Sequence, residues 1–228
     1  MDLWTILVVL SCLVTATSTL YVLWRPPPPP LFPAVPTAML ATVFFTVGEL
    51  LSSRMASTPT HAWLASILLY AGGLLLPPSI WTTALRFAEA HRQPFDFGRA
   101  PWTRWPWIAF GILFLLVVTN PLHGSLFVLR VGERSEYLGL WYLLAALSWT
   151  FLVAGVCLFA ATALRARRGE VRSQAWLMAS GCLIPVVLNI VYSLTPRSLP
   201  VDPSAFGLAL ACLLFIAGSR RTLSLIHI

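Results

Sequence analysis

The side chains of this sequence that could take part in chemistry are few and lie far apart along the chain. Glu49 stands out because it is a carboxylate at the end of a long apolar segment. A carboxylate at the edge of a membrane is costly unless it is paired, hydrated or neutralised, so Glu49 is a candidate functional residue. It also lies four residues before Ser53 and five before Arg54, which fits a solvated helix end. Both interpretations stay open.

Histidine and cysteine give no sign of a metal site. His123 could ligate a metal as neutral imidazole, but no thiolate is near it in sequence. The cysteines fall in apolar runs without the spacing of a disulfide, zinc or redox motif, which predicts small packing residues; they are Cys12, Cys157, Cys182 and Cys212. We therefore predict no metal and no cofactor.

The composition indicates that the solvent around most of this chain is a bilayer. Of its 228 residues, 58% are apolar and only 10% are charged, whereas soluble domains are typically about 45–50% apolar. All 15 basic residues are arginine, and the net charge is +7. On one soluble face that charge would suggest nucleic acid, but the arginines lie in short gaps between apolar runs. The sequence therefore predicts that the chain contacts membrane lipid and does not bind nucleic acid.

Seven charge-poor segments are close to the roughly 20 residues that a helix needs to cross the hydrocarbon core. The fold class predicted is therefore an all-α integral membrane protein, a seven-transmembrane helix bundle occupying residues 1–221. Consecutive prolines at residues 26–30 predict a stiff turn, and Pro77-Pro78 predicts a kink or an early end of the third helix. Asn120-Pro121 is expected to close the fourth. The predicted spans are residues 3–24, 31–51, 62–85, 105–119, 139–164, 174–194 and 204–218.

The arginines are distributed unevenly between the two sides that seven spans define. One side carries 11 and the other carries four, namely Arg54, Arg130, Arg134 and Arg197. Because cytoplasmic loops are enriched in basic residues, the N-terminus is predicted outside and the C-terminus in the cytoplasm. Several arginines of the cytoplasmic side are interpreted as topology determinants that also touch anionic lipid; they are Arg86, Arg165, Arg167, Arg168 and Arg172.

Polar and aromatic residues gather at the predicted outer ends of the helices, where they could line a pocket open to the outside. Asn120 and His123 could instead be a capping residue and a loop residue, and Asn189 could satisfy a carbonyl that Pro185 leaves free. The predicted pocket consists of Glu49, Trp63, Asn120, His123, Trp141, Tyr142, Asn189 and Tyr192.

Several segments, in order, resemble the seven-transmembrane N-terminal sensor region of bacterial histidine kinases. They are Gly48-Glu49; Trp63 with Tyr70, Gly72 and Pro77; Thr119-Asn120-Pro121-Leu122-His123; residues 139–142; residues 172–189 with Gln174, Gly181 and Pro185; and Pro200-Val201-Asp202 before Phe206-Gly207. The resemblance implies a sensory module in the bacterial cytoplasmic membrane. It also implies a PAS or kinase output domain normally in the same chain, and it allows a homodimer.

The sequence after residue 221 departs from that family. Members usually continue into the output region, whereas here residues 222–228 follow, without a phosphoacceptor-histidine helix, an asparagine box or a glycine-rich ATP lid. We expect these residues to be a truncated linker or a non-native tail.

Four function classes differ in what they require of the sequence. A sensory receptor of a signal-transduction histidine kinase is the leading interpretation, with an unknown small ligand or membrane signal. The alternative is a small multi-spanning transporter or channel-like protein, which should show repeated segments with ion-binding residues near the midplane; no clear repeat is present. A retinal protein needs a Schiff-base lysine, which this chain lacks. The chain has neither clustered catalytic side chains nor a nucleotide motif, so we predict that it is not an enzyme.

Overall fold

A computed structural model of the chain describes residues 3–27, 31–54, 58–91, 101–128, 136–194 and 202–220. Within these ranges the protein is almost entirely helical, with one short antiparallel pair in which Phe127 faces Tyr137. The elements in chain order are α1 (Leu3–Trp24), α2 (Ala34–Arg54), α3 (Pro59–Ala90), α4 (Pro101–Val118), α5 (Asn120–His123), β1 (Phe127–Val128), β2 (Glu136–Tyr137), α6 (Gly139–Arg165), α7 (Gly169–Leu194) and α8 (Ser204–Arg220).

Five of these helices, α1, α2, α3, α6 and α7, are long and apolar enough to cross a membrane. Two shorter apolar segments, Thr103–Val118 in α4 and Ser204–Ser219 in α8, accompany them. The protein is therefore an all-α, multi-pass membrane protein. We call the end of the bundle that carries β1 and the first turn of α8 the outer end, after the orientation that the arginines predict, and the opposite end the inner end.

The third helix corrects one prediction. Pro77-Pro78 does not end it, because α3 continues to Ala90 and is longer than the predicted 62–85 at both ends. Thr58 caps its first turn by accepting a hydrogen bond from the amide of His61 at 3.2 Å. Both prolines are buried against neighbouring helices, and Ser79 donates to the Leu75 carbonyl at 2.7 Å. Packing and hydroxyl groups of this kind let membrane helices tolerate proline.

The other helix ends differ from the predicted spans for local reasons. The second begins at Ala34 rather than residue 31, since residues 31–33 form a turn. The fourth ends at Val118, as Asn120-Pro121 predicts, but it begins at Pro101. The sixth predicted span, 174–194, corresponds to α7, which begins five residues earlier at Gly169, because a hydropathy criterion stops at charged residues whereas a helix can include them. The first coincides with its prediction.

Five helices form a closed ring. In this ring α2 packs on α3, α3 on α6, α6 on α7, α7 on α8, and α8 returns to α2, while α1 lies against α2 and α8 and α4 against α3. The inner half of the ring encloses an aromatic core in which Phe159 contacts Phe87 and Phe215, with ring centroids 5.8 and 6.3 Å away. The ring therefore supplies a common interior to which five helices contribute.

Glycines allow the closest helix contacts. A Cβ on Gly48 would lie 2.7 Å from the Cα of Leu69, and a Cβ on Gly72 would lie 2.8 Å from the Cα of Phe45. The α2 and α3 backbones therefore touch along two turns, as small residues permit in membrane helices. At the outer end of α7 and α8, Gly207 lies against Pro185 in the same way.

Hydroxyl groups join helices across the bundle. Thr15 of α1 and Thr46 of α2 share a hydrogen bond of 3.1 Å, and Thr42 of α2 lies 3.2 Å from the sulfur of Cys212 in α8. All four cysteines are free thiols. Cys212 and Cys182 are buried packing residues as predicted, whereas Cys157 is exposed on the surface of α6.

Candidate functional site

A cavity of about 240 Å³ lies inside the ring, toward its outer end. All five ring helices contribute to its wall, and most of the lining is apolar. Its volume is somewhat below the roughly 300–1,000 Å³ of small-molecule pockets. Its aromatic side chains are Phe45, Tyr70, Trp141 and Trp149.

Most of the polar lining lies where α7 ends and α8 begins, and Ser148 of α6 also lines the cavity. Asn189, Asp202 and Ser204 line the cavity there. Asp202 is only 8% exposed, and its carboxylate accepts from the Ser204 amide at 2.8 Å and from Asn189 Nδ2 at 3.3 Å. These two hydrogen bonds therefore fix the orientation of the Asp202 carboxylate at the N-terminal end of α8.

Glu49 reaches the same place from α2. It is 9% exposed, and its Oε1 accepts a hydrogen bond from the backbone amide of Asp202 at 3.2 Å. This bond joins residues 153 positions apart and closes the ring at its outer end. Glu49 is thus a buried residue of the bundle, so the interpretation of a solvated helix end does not apply to its side chain.

Asp202 has a structural role as well. Its side chain caps the first turn of α8, because it accepts from an amide that has no partner inside the helix. A carboxylate also interacts favourably with the positive end of a helix dipole. A helix cap need not be buried, however. Asp202 is buried at the wall of a cavity and lies near a second acidic residue, Glu49.

A buried hydroxyl at this site has no hydrogen-bond partner among the described residues. Ser204 is 3% exposed and lines the cavity, and its Oγ is the atom concerned. Buried polar groups in native proteins are usually satisfied, if not by protein then by water or a ligand. The Ser204 hydroxyl is therefore available to form a hydrogen bond with a molecule bound in the cavity.

An aromatic cluster joins the cavity to the outer strand pair. Tyr70 and Trp141 of the cavity wall lie with ring centroids 4.7 Å apart. Phe127 of β1, fully buried, packs on both, at 4.8 Å from Tyr70 and 6.1 Å from Trp141. Trp63 adds a further contact with Phe127 at 6.2 Å. Through Phe127, the strand pair thus packs against the side of the aromatic wall that faces away from the cavity.

Asn120 positions Phe127. Its Nδ2 donates to the Phe127 carbonyl at 2.8 Å, and its Oδ1 accepts from the Leu126 amide at 2.9 Å. Asn120 is buried, and it is not among the residues that line the cavity. A buried asparagine that satisfies two backbone groups at once holds the chain in one path.

His123 organises the same turn from its exposed side. Its Nδ1 accepts from the Ser125 amide at 3.1 Å, so Nε2 carries the proton and donates to the Leu116 carbonyl, also at 3.1 Å. Leu116 lies in the last turn of α4, where carbonyls lack helical partners. The Thr-Asn-x-x-His element therefore ties α4 to β1, with Gly124 in the left-handed conformation at φ 59°.

The structure brings together only part of the predicted pocket. Trp141 and Asn189 line the cavity, and Glu49 reaches it through Asp202. Trp63 and Asn120 support the wall from behind. His123 faces solvent, Tyr142 is 64% exposed on α6, and Tyr192 is half-buried on α7; these three are not among the lining residues.

Sequence reasoning missed the residues that complete the site. Asp202 and Tyr70 appeared only within the segments that resemble the sensor family, and Trp149, Ser204 and Phe127 were not singled out. Asp202 follows a proline-containing loop and precedes an apolar helix by two residues, which is a recognisable N-cap signal. That signal could have placed a carboxylate at the outer end of α8.

The predicted arginines lie at the inner end. Arg172 donates to the Ala166 carbonyl at 3.1 Å and so caps α6, and Arg86 pairs with Glu89 at 3.1 Å. The other three, Arg165, Arg167 and Arg168, are exposed. The inner end therefore carries exposed positive charge, and one of its arginines, Arg172, also caps the end of α6.

His91 at the inner end is expected to make stability depend on pH. It follows the last residue of α3, is half-buried and packs edge-on against Phe87 at 4.4 Å. Burial lowers the pKa of His91, and the nearby Arg168 lowers it further. The imidazole is neutral in both states above its ordinary pKa of about 6.5. As the pH falls through that value the unfolded chain binds the proton first, so folding loses stability.

We therefore expect the melting temperature to fall between about pH 7.5 and about pH 5.5, and His91→Gln to reduce that fall. Arg168→Gln should reduce it partly, because burial is the larger cause. Scanning calorimetry of the purified protein at both pH values measures the effect. An unchanged pH dependence in His91→Gln would contradict the assignment.

The helices and the cavity define a class of protein: a multi-pass membrane protein whose bundle encloses a small cavity with a polar outer end. The family described as the N-terminal 7TM region of histidine kinase matches residues 7–225 of the chain. The chain belongs to that family, and the resemblance predicted from its sequence is confirmed. No curated protein and no solved structure matches the chain. Among the described residues, no three His, Cys, Asp or Glu side chains group as a metal site.

Proposed function

We propose that this chain is the membrane-embedded sensory module of a bacterial signal-transduction histidine kinase, and that it receives its signal in the cavity at the outer end. Membership of a family of histidine kinase sensor regions supports the class. The observation that carries the site is the cavity that all five ring helices line, with Asp202 and Ser204 of α8 in its wall.

The proposed topology has seven spans, with the N-terminus outside and the C-terminus in the cytoplasm of a bacterial cell. The 11 to four division of arginines supports it. The shorter helices α4 and α8, with apolar segments of 16 residues each, would complete the seven. In this arrangement the cavity lies toward the outer side, and α8 leads toward the cytoplasm.

The proposed output element is α8. Its first turn contacts the cavity, and its remaining length packs on α7 through Gly207, Gly181 and Gly218. A ligand can shift an equilibrium only if it interacts differently with two states. A guest that contacts Ser204 and Asp202 would interact directly with the helix that precedes the output domain, and no catalysis by the sensory module itself is required.

A kinase chimera tests this proposal. Residue 221 is joined to the cytoplasmic half of a characterised histidine kinase, and autophosphorylation is measured in cells. Ala145 lines the cavity, so Ala145→Phe should fill part of it and change phosphorylation by about fivefold or more, a typical coupling between sites. The neighbouring Ala146 is exposed and does not line the cavity, so Ala146→Phe is the matched control and should leave signalling as in the parent.

The chimera also tests orientation, because a kinase domain placed outside the cell has no ATP. Glu49→Gln is a second variant; it keeps the shape of the side chain but removes the charge beside Asp202. If Ala145→Phe and Glu49→Gln both signal like the parent while the chimera is active, the cavity is not where the signal is received.

A further inference from the structure

The outer cavity has a mostly apolar wall, to which all five ring helices contribute. Its volume of about 240 Å³ exceeds the roughly 150 Å³ of an apolar protein cavity that binds benzene. It therefore has room for a guest with one ring and a short apolar chain. Burial of that apolar body would contribute most of the affinity, and the few polar groups of the wall would determine its orientation.

One buried hydroxyl in this wall lacks a hydrogen-bond partner. Ser204 is 3% exposed and lines the cavity, and its Oγ bonds to no group in the part of the chain that the structure describes. A buried hydroxyl left unpaired is unfavourable, and a guest with a hydrogen-bonding group would remove that penalty. Because a hydroxyl both donates and accepts, another hydroxyl is a suitable partner.

The polar groups next to this hydroxyl are already engaged within the protein. The Asp202 carboxylate accepts from the Ser204 amide at 2.8 Å and from Asn189 Nδ2 at 3.3 Å. Glu49 accepts from the Asp202 amide at 3.2 Å. Since these bonds hold the neighbouring groups in place, the polar group of a guest is expected at the Ser204 Oγ.

The wall favours a guest without charge. Among the residues that the structure describes, the lining includes no Arg, Lys or His, so an anion would have no cationic partner there. The Asp202 carboxylate is bonded to protein donors, as described above. Transfer of a charged group into an apolar interior is far more costly than transfer of a hydroxyl that gains a hydrogen bond. Pairing with Ser204 requires no charge on the guest.

The aromatic part of the wall favours a guest that contains a ring. Tyr70, Trp141 and Trp149 line the cavity, and the rings of Tyr70 and Trp141 have centroids 4.7 Å apart. Aromatic rings pack favourably on one another in offset or edge-to-face arrangements. An aromatic guest would therefore gain more from these walls than a flexible chain of the same area.

We propose that the outer cavity binds a small uncharged alcohol with one aromatic ring, whose hydroxyl pairs with the Ser204 Oγ and whose ring lies against the aromatic wall. This ligand class rests on the proposed function, in which the cavity receives the signal. A membrane phospholipid does not fit, because its head group is charged and its two chains exceed a cavity of about 240 Å³.

Four probes that share a phenylbutyl body test the ligand class: 4-phenylbutanol, pentylbenzene, 4-phenylbutylamine and 5-phenylpentanoate. The full chain is purified into lipid nanodiscs, and binding is measured by the shift in melting temperature and by tryptophan fluorescence. Empty nanodiscs give the partitioning of each probe, so affinities are compared at equal concentration in the lipid. We expect the alcohol to bind about fivefold more tightly than the hydrocarbon, the effect of one hydrogen bond, and more tightly than either charged probe.

A serine variant assigns the polar contact. Ser204→Ala should weaken the alcohol by about fivefold and leave pentylbenzene unchanged. It should not lower the melting temperature of the ligand-free protein, because it removes a hydroxyl that has no partner. Ser180 is exposed on α7, so Ser180→Ala is the matched control and should bind all four probes like wild type.

A second pair of variants assigns the apolar contact. Ala145→Phe, which fills part of the cavity, should weaken the alcohol and the hydrocarbon together. Ala146 does not line the cavity, so Ala146→Phe should bind both probes like wild type. This pair separates binding inside the ring from binding at the lipid-facing surface, and it does not depend on Ser204.

The ligand class is overturned if a charged probe binds more tightly than the alcohol, or if Ser204→Ala keeps the preference for the alcohol over pentylbenzene. The proposed function fails differently. If Ala145→Phe alters the kinase chimera but the alcohol is not preferred, the ligand class is wrong and the sensory role stands. If the alcohol is preferred through Ser204 but Ala145→Phe and Glu49→Gln leave signalling unchanged, the ligand class stands and the sensory role does not.

Discussion

Adding a single methyl group at Gly72 should destabilise the bundle by about 3 kcal/mol, at the upper end of overpacking effects. The Cβ of Gly72→Ala would lie 2.5 Å from the Ala41 carbonyl oxygen and 2.8 Å from the Cα of Phe45. Both are backbone atoms of α2, so relief requires moving a whole helix rather than turning a side chain. The measurement is the free energy of unfolding in a mixed detergent titration.

The neighbouring glycine provides the control. A Cβ on Gly73 would approach no atom closer than 3.9 Å, which is ordinary contact. Gly73→Ala should therefore be neutral or stabilise α3 by up to about 1 kcal/mol, because alanine is the better helix former. Similar unfolding free energies for the two variants would show that the α2 and α3 backbones are not in contact at Gly72.

The second large effect is expected at Asn120. Asn120→Ala leaves the Phe127 carbonyl and the Leu126 amide without their side-chain partner. Each buried group that loses its partner costs about 1–3 kcal/mol, so we expect a loss of about 2–4 kcal/mol. Loss of the Phe127 position should also change tryptophan fluorescence, because Phe127 packs on Trp63 and Trp141.

Leu122 of the same short helix is the control for Asn120. It is 86% exposed, so Leu122→Ala should change stability by no more than about 0.5 kcal/mol. Asn120→Asp separates the two bonds, because it keeps an acceptor for the Leu126 amide but places a carboxylate against the Phe127 carbonyl. Asn120→Ala with wild-type stability would mean that the amide does not hold β1.

Much of the fold could be predicted from the sequence, because the length of an apolar segment and the positions of the charged residues both indicate where a helix crosses a bilayer. Runs between arginines predicted the seven long helices to within about five residues at either end, but not the short helix α5. The errors lie where a hydropathy pattern carries no information. Packing and the Ser79 hydroxyl let α3 continue through Pro77-Pro78, and α7 begins with a turn that contains the charged residue Glu170.

The site was harder to predict than the fold. Depth along a helix can be estimated from sequence, so Glu49, Trp141 and Asn189 were expected at the outer end. The side of the helix that faces the interior depends on rotation, which the apolar pattern of these spans does not specify, since lipid and core are both apolar. That is why Tyr142, one residue after Trp141, was included although it faces outward. Asn120 and His123 act on backbone groups within ten residues of themselves, a role that spacing did not distinguish from lining a pocket.

The closed ring has a consequence for the order in which the protein is made. Glu49 enters the membrane with the second helix, but its partner, the amide of Asp202, is synthesised 153 residues later. Until α8 leaves the ribosome, the nascent bundle has an open side where α2 and α7 lack their last neighbour, and the acidic end of the cavity does not exist. The ring is therefore closed only once this region has been translated, and a chain interrupted before α8 would lack the hydrogen bond from the Asp202 amide to Glu49.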